Sequence, residues 1–140
     1  MTIWNLSIKE VEHIAFKLAK AKLSYSEPIP SFLTRFPGVL ESCLLVPFQE
    51  FDKKNLYKGL VEKAAILFYL MIKNHPFQNG NKRIAMTTLF VFLSKNRKWL
   101  RISNQELYNF AVWVAQSRSD LKDEVVSSIK KFIKTYSVNR

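Results

Sequence analysis

Residues 75 to 83 carry the side chains of this chain that are best suited to chemistry, and they read H-P-F-Q-N-G-N-K-R. They stand between two apolar runs, A-A-I-L-F-Y-L-M-I before them and I-A-M-T-T-L-F-V-F-L after them. The imidazole of His75 is able to accept a proton from a hydroxyl group. The stretch holds cations and amides but no carboxylate, which restricts how it could bind a metal ion.

The same stretch contains the parts of an anion-binding helix terminus. Gly80 and Asn81 lie where the loop is predicted to become a helix, and a helix start presents unpaired N–H groups with a partial positive charge of roughly half a unit. Gly80 lets a phosphate approach the backbone closely. Lys82 and Arg83 fall in the first turn, where cations oppose the helix dipole unless an anion sits beside them. The spacing therefore predicts a phosphate site here, with His75 able to reach over it.

Two long helices are predicted to flank this stretch and to hold it in place. Residues 56–74 are apolar almost all round beyond Glu62, which is typical of a central, buried helix. Residues 81–95 carry apolar side chains at helical spacing, which predicts a second core helix.

Further helices are indicated by caps and by periodicity. S-I-K-E and S-N-Q-E, at residues 7–10 and 103–106, are capping boxes that predict helices to about residues 22 and 116. Shorter helices are predicted at 38–45 and, capped by Asp120, at 121–136. The first helix is predicted to bury Ile8, Val11, Ile14, Ala15, Leu18 and Ala19. Residues 1–140 are thus predicted to form a single all-α domain, a compact fold of about six helices around a central buried helix pair.

Composition narrows the class of protein. The net charge of +11 favours a polyanionic partner such as nucleotide phosphate, nucleic acid or an acidic protein. The start lacks the pattern of a signal peptide, and the longest apolar run, 64–72, is too short to span a bilayer. A cytoplasmic protein without membrane contact is therefore expected. Cys43 lies in the apolar context L-E-S-C-L-L and is predicted to be a buried thiol rather than a nucleophile.

H-P-F-Q-N-G-N-K-R resembles the motif of the Fic/Doc (Fido) superfamily, whose general form is H-x-F-x-[DE]-G-N-G-R. With Lys82 in place of the second glycine, it is most similar to the Doc (death-on-curing) branch, whose usual form is H-x-F-x-[DN]-[AG]-N-K-R. The likeness continues into both flanking stretches, from L-Y-K-G-L-V-E-K to I-A-M-T-T-L-F-V-F-L, and covers the chain from Gly38 to roughly Leu121.

The resemblance implies a Fido-type fold that transfers a phosphate-containing group from ATP or another nucleoside triphosphate, with Mg²⁺, to a protein hydroxyl. Most Fic proteins transfer AMP, whereas Doc phosphorylates a threonine of elongation factor Tu and stops translation. Lys82 fills the room that the second glycine would leave for phosphates, so phosphoryl transfer to a Ser/Thr hydroxyl of a translation factor is the expected reaction. AMP transfer of the Fic type is the alternative, and a weakly active or inactive binding domain is another.

The resemblance also implies a role for each residue of the motif. His75 and Arg83 are the expected catalytic residues, His75 as the general base and Arg83 by holding phosphate through its bidentate fork. Phe77 would be a core anchor that orients the loop. The phosphate-binding residues would be Asn79, Gly80, Asn81, Lys82 and Arg83.

Asn79 stands where the family usually has Asp or Glu, the acid that binds Mg²⁺. An amide offers one neutral carbonyl oxygen, and a hard cation prefers charged oxygen ligands. Three consequences stay open. Asn79 is a weak ligand that acts directly or through a water, or the enzyme is slow, or the chain binds without turnover.

The resemblance also bears on partners. Many Fic proteins carry an inhibitory helix of the form [ST]-x-x-x-E-[GN], and none of the glutamates here is followed by Gly or Asn. A separate antitoxin is therefore expected to restrain this chain. A nucleic-acid-binding module is the rival class that the charge supports, but nucleic acid binding is not expected, because the basic residues are scattered and neither a recognition-helix pattern nor zinc-ligand spacing occurs.

Overall fold

Six helices make up most of the computed structural model, which describes residues 2–23 and 27–140. Helix α1 joins three segments, α-helical Ile8–Glu10, π-helical Val11–Phe16 and α-helical Lys17–Lys22, and it is followed by α2 (Val39–Leu45), α3 (Leu60–Lys73), α4 (Asn81–Lys95), α5 (Asn104–Gln116) and α6 (Lys122–Tyr136). Two short antiparallel ribbons accompany them, β1 (Glu50–Phe51) with β2 (Lys54–Asn55), and β3 (Lys98–Leu100) with β4 (Ser137–Asn139). The predicted all-α fold is confirmed.

Helices α3 and α4 form the centre of the molecule, as predicted. Every residue of α3 from 63 to 72 is buried, and α4 packs along it while α6 and α5 cover other faces. Helix α3 begins later than the predicted residue 56, because the backbone N–H of Gly59 donates to a carboxylate oxygen of Glu62 (2.6 Å) and so caps the helix there. Helix α4 has the bounds that its sequence predicts. No helix in the described ranges is long and apolar enough to cross a membrane.

Helix α1 is capped as predicted, and it buries part of the predicted face, because Val11, Ala15 and Ala19 are in the core. The N–H of Glu10 donates to Ser7 Oγ (3.1 Å), and the N–H of Ser7 donates to Glu10 Oε1 (2.9 Å). Ile14 and Leu18 were expected in the core, but they are 48% and 36% exposed, while Phe16 is buried. This part of the prediction is wrong because the π-helical stretch has a wider turn than 3.6 residues and rotates the buried face.

The start of α6 also differs from its prediction. Asp120 does not cap the helix, because Arg118 holds its carboxylate with two hydrogen bonds, from Nη2 (2.7 Å) and Nε (3.1 Å). The 3₁₀ turn Ser119–Leu121 comes before α6 instead. At the other end of α6, strand β4 pairs with β3, a contact between distant segments that local patterns do not indicate.

Two side chains outside the candidate site, those of Cys43 and Lys63, are buried in the fold. Cys43 is fully buried in the core, as predicted. Lys63 is buried on α3, and its ammonium group donates to the carbonyl oxygens of Pro47 (3.0 Å) and Tyr57. These two carbonyls lie before β1 and after β2, so Lys63 holds both stems of the first ribbon.

Thr87 and Thr88 offer a matched test of how α4 is packed. Thr87 Oγ1 donates to the carbonyl oxygen of Ala15 on α1 (2.8 Å), whereas the buried Thr88 Oγ1 has no hydrogen-bond partner among the described residues. We expect Thr87→Val to lower the free energy of unfolding by about 1–2 kcal/mol, and Thr88→Val to raise it by up to about 1 kcal/mol. Urea unfolding measures both, and equal effects of the two substitutions would contradict this account.

Candidate active site

The loop between α3 and α4 projects His75 from a left-handed backbone conformation. His75 has φ +50°, although it precedes a proline, which disfavours helical conformations. Such a position costs about 1–3 kcal/mol and needs support from its surroundings. The carbonyl of Pro76 provides part of it by accepting from the N–H of Phe36 (3.0 Å). The side chain of His75 is exposed as a result, at the rim of a cavity.

Asn81 closes this loop by pairing with the peptide groups of Phe77. Its Oδ1 accepts from the N–H of Phe77 (2.9 Å), and its Nδ2 donates to the carbonyl of Phe77 (2.9 Å). The same Nδ2 lies 3.4 Å from His75 Nδ1, which is too long to hold the ring in one tautomer. Phe77 itself is buried, with its ring centroid 5.6 Å from that of Phe16 and 5.9 Å from that of Phe32. Both residues thus set the loop's shape.

Gly80 is the turn into α4, and its surroundings leave no space for a side chain. Its φ is +78°, which L-residues rarely adopt. A Cβ atom there would lie 2.9 Å from Ile29 Cγ1 and 3.3 Å from Arg83 Nη2. The glycine therefore allows the upstream loop to pack directly on the start of α4.

The side chain of Arg83 holds the loop between α1 and α2 against the start of α4. The side chain is buried, and its Nη1 donates to the carbonyl oxygens of Leu23 (3.1 Å) and Glu27 (2.7 Å). Both hydrogens of Nη1 are therefore in use. Arg83 still lines the cavity, so a phosphate there would have to be held by its remaining nitrogens rather than by the full fork that the sequence suggests.

A cavity of about 440 Å³ brings these residues together. Part of its lining is polar, and Ile72, Tyr108 and Ala115 form a largely apolar wall, which the sequence did not predict. Lys73 ties this wall to α3 by donating to the carbonyl oxygens of Ala115 (3.3 Å) and Ser117 (2.6 Å). The polar side is formed by His75, Gln78, Asn79, Gly80, Asn81, Lys82 and Arg83, so every predicted site residue except Phe77 lines the cavity.

A carboxylate also lines this cavity, although the motif lacks one. Asn79 Nδ2 donates to Glu27 Oε2 (2.7 Å), while Asn79 Oδ1 accepts from the N–H of Gly80 (2.8 Å). Glu27 is 52 residues away in sequence from Asn79, and local reasoning about the motif therefore missed it. The absence of a carboxylate from residues 75–83 was the available signal, because a Mg²⁺ site would then need an acid from another segment of the chain.

A model of the Fic/DOC family matches residues 6–93, which include α1 to α3, Glu27, the loop and most of α4. The chain belongs to the Fic/DOC family. No curated protein and no solved structure matches it. Fic/DOC proteins are transferases that act on protein targets and generally use nucleotide substrates with Mg²⁺. Helices α5 and α6 lie beyond the matched range, so Tyr108 and Ala115 come from the part of the chain that the family model does not cover.

The side chains of this Fic/DOC protein suit Mg²⁺ only together with a nucleotide. The described residues hold no group of three or more His, Cys, Asp or Glu that could bind a metal ion. Mg²⁺ in nucleotide sites is commonly held by one or two carboxylates, with phosphates and waters completing its six ligands. Glu27 is the carboxylate among the lining residues. The cavity therefore fits a Mg²⁺ ion that is held by one carboxylate together with the phosphates of a nucleotide and water.

Proposed function

We propose that this protein is a Doc-like toxin, which transfers the terminal phosphoryl group of a nucleoside triphosphate to a Ser/Thr hydroxyl of a protein such as elongation factor Tu. The observation that carries the proposal is the meeting of His75 with the amino end of α4 in one cavity. That pairing places a proton acceptor beside an anion-binding helix terminus.

The residues that line the cavity have different roles in the proposed reaction. The backbone N–H groups at the start of α4 and the half-buried Lys82 attract the phosphates. His75 accepts the proton of the attacking hydroxyl, and Tyr108 with Ile72 offers an apolar surface to the nucleobase. Mg²⁺, when bound with the nucleotide, offsets the negative charge of the phosphates. Catalysis would then depend on positioning and charge stabilisation, as is usual for phosphoryl transfer.

Lys82 supports phosphoryl transfer over AMP transfer. Its half-buried side chain lines the cavity beside the helix start, where the Fic form of the motif has a glycine. A long cationic side chain at this point occupies space that phosphates could otherwise take, and it favours a nucleotide bound in the other direction.

A separate antitoxin is part of this proposal. The net charge of +11 suits an acidic partner, and the chain lacks the [ST]-x-x-x-E-[GN] sequence that restrains many Fic proteins. Expression of this chain alone should arrest bacterial growth, whereas normal growth at a high level of the folded protein would contradict a toxin role.

Mass spectrometry of bacterial lysate proteins, after incubation with this protein, ATP and Mg²⁺, tests the reaction. We expect one protein to gain a single phosphate on a Ser or Thr residue. A gain of AMP instead would assign the Fic-type reaction, and no gain at all, with ATP still bound, would indicate a binding domain without turnover.

A further inference from the structure

We infer that Glu27, and not the motif residue Asn79, is the carboxylate that this chain offers to nucleotide-bound Mg²⁺. The inference rests on the proposed function, since it requires a nucleoside triphosphate in the cavity that Glu27 lines. It moves the acidic ligand from the motif to the loop before α2.

Glu27 is held in place at both ends. Its backbone carbonyl accepts from Arg83 Nη1 (2.7 Å), and its carboxylate accepts from Asn79 Nδ2 (2.7 Å). Ile29, two residues on, is buried against Gly80 at the turn into α4. Two residues of the motif and one buried anchor therefore fix the loop, and Glu27 lines the cavity together with the motif.

The charge balance of the cavity also indicates a cation. In this strongly basic protein, no cationic group of the described residues lies within 4.0 Å of the Glu27 carboxylate. An unneutralised carboxylate beside a phosphate site repels the phosphates. A divalent cation between them reverses the sign of that interaction and gives the carboxylate a function in binding.

The pairing of Glu27 with Asn79 explains why the motif has an amide. An aspartate at position 79 would place a second negative charge within hydrogen-bonding distance of Glu27, and the two carboxylates would repel each other. Without a cation between them, the pair is therefore more stable with one acid and one amide, at either position. The exchange Glu27→Gln with Asn79→Asp keeps one amide and one carboxylate and reverses their places.

Calorimetric titration with ATP, in Mg²⁺ and in EDTA, tests the inference with four proteins. These are the wild type, Glu27→Gln, the double variant Glu27→Gln/Asn79→Asp, and Glu124→Gln as a control on an exposed carboxylate of α6. Titration of Mn²⁺ in the presence of ATP, followed by electron paramagnetic resonance, reports the metal directly.

We expect Glu27→Gln to weaken ATP binding in Mg²⁺ and Mn²⁺ binding in ATP by about tenfold or more. The double variant should regain most of that loss, and Glu124→Gln should match the wild type. If Glu27→Gln binds ATP in Mg²⁺ as tightly as the wild type or more tightly, the carboxylate is not a ligand, and the inference fails. If the double variant binds ATP in Mg²⁺ as weakly as Glu27→Gln does, a carboxylate at position 79 does not replace that of Glu27, and the inference also fails.

The same titrations separate this inference from the proposed function. A wild-type protein that binds ATP neither in Mg²⁺ nor in EDTA would contradict the nucleotide site itself, and the inference would fall with it. A wild-type protein that binds ATP, with no difference on replacing Glu27, would contradict the role of Glu27 alone.

Discussion

Replacement of His75 by alanine should reduce transfer to the protein hydroxyl by about 10²–10⁴-fold, the range over which a positioned general base contributes. The imidazole is exposed at the rim of the cavity, and the loop beneath it is held by Asn81 and Phe77 rather than by the ring. The substitution should therefore remove the base and leave the fold and ATP binding nearly unchanged. Single-turnover rates with ATP and the unmodified target protein, together with ATP titration, measure the two effects separately.

His13 supplies the matched control for this substitution. It is the other histidine of the chain and is exposed on α1, away from the residues that line the cavity. His13→Ala should retain the full rate and should still arrest growth, whereas His75→Ala should permit growth. An equal rate for the two variants would show that the imidazole at the cavity takes no part in the reaction.

Replacement of Arg83 by lysine should reduce transfer by about 10²–10³-fold, although the charge is kept. Arginine uses Nη1 for Leu23 and Glu27 and keeps the donors of two other nitrogens, whereas the three donors of lysine all lie on one shorter-reaching nitrogen, which cannot sit between the two carbonyls and also reach a phosphate in the cavity. We also expect the free energy of unfolding to fall by about 1–2 kcal/mol, because a buried carbonyl loses its partner. Rates and urea unfolding on the same protein measure both losses.

Arg118 is the control, because its guanidinium is exposed and pairs with Asp120 at the start of α6. Arg118→Lys should change neither the rate nor the stability by a measurable amount, since exposed ion pairs contribute little. If Arg83→Lys lowered stability and left the rate intact, Arg83 would stabilise the loop and would not be part of the phosphate site.

Local signals predicted the helices that position the site. Asn81–Lys95 and Asn104–Gln116 have their predicted bounds, because a left-handed glycine before the first and a serine cap before the second mark their starts. The errors came from features without a local signal. The π-helical stretch in α1 rotates Ile14 and Leu18 into solvent, and the bond from Arg118 removes Asp120 from its expected cap.

The candidate site was predictable only as far as the motif extends. Residues 75 to 83 are contiguous in sequence, so their chemistry and spacing could be read together. Glu27 and Tyr108 come from separate segments that only the packing of the whole chain brings to the cavity. The hydrogen bonds from Arg83 Nη1 to two carbonyls could not be predicted from the sequence either, because they depend on the path of the loop that carries Glu27.

The burial of Cys43 has a practical consequence for labelling. Its thiol is the only one in the chain, and burial raises its pKa to about 11, so about one thiol in ten thousand is ionised at neutral pH. Maleimide reagents react with accessible thiolates. A cysteine introduced on the first ribbon, at Lys53 for example, should therefore accept a fluorophore selectively while the native residue stays in place.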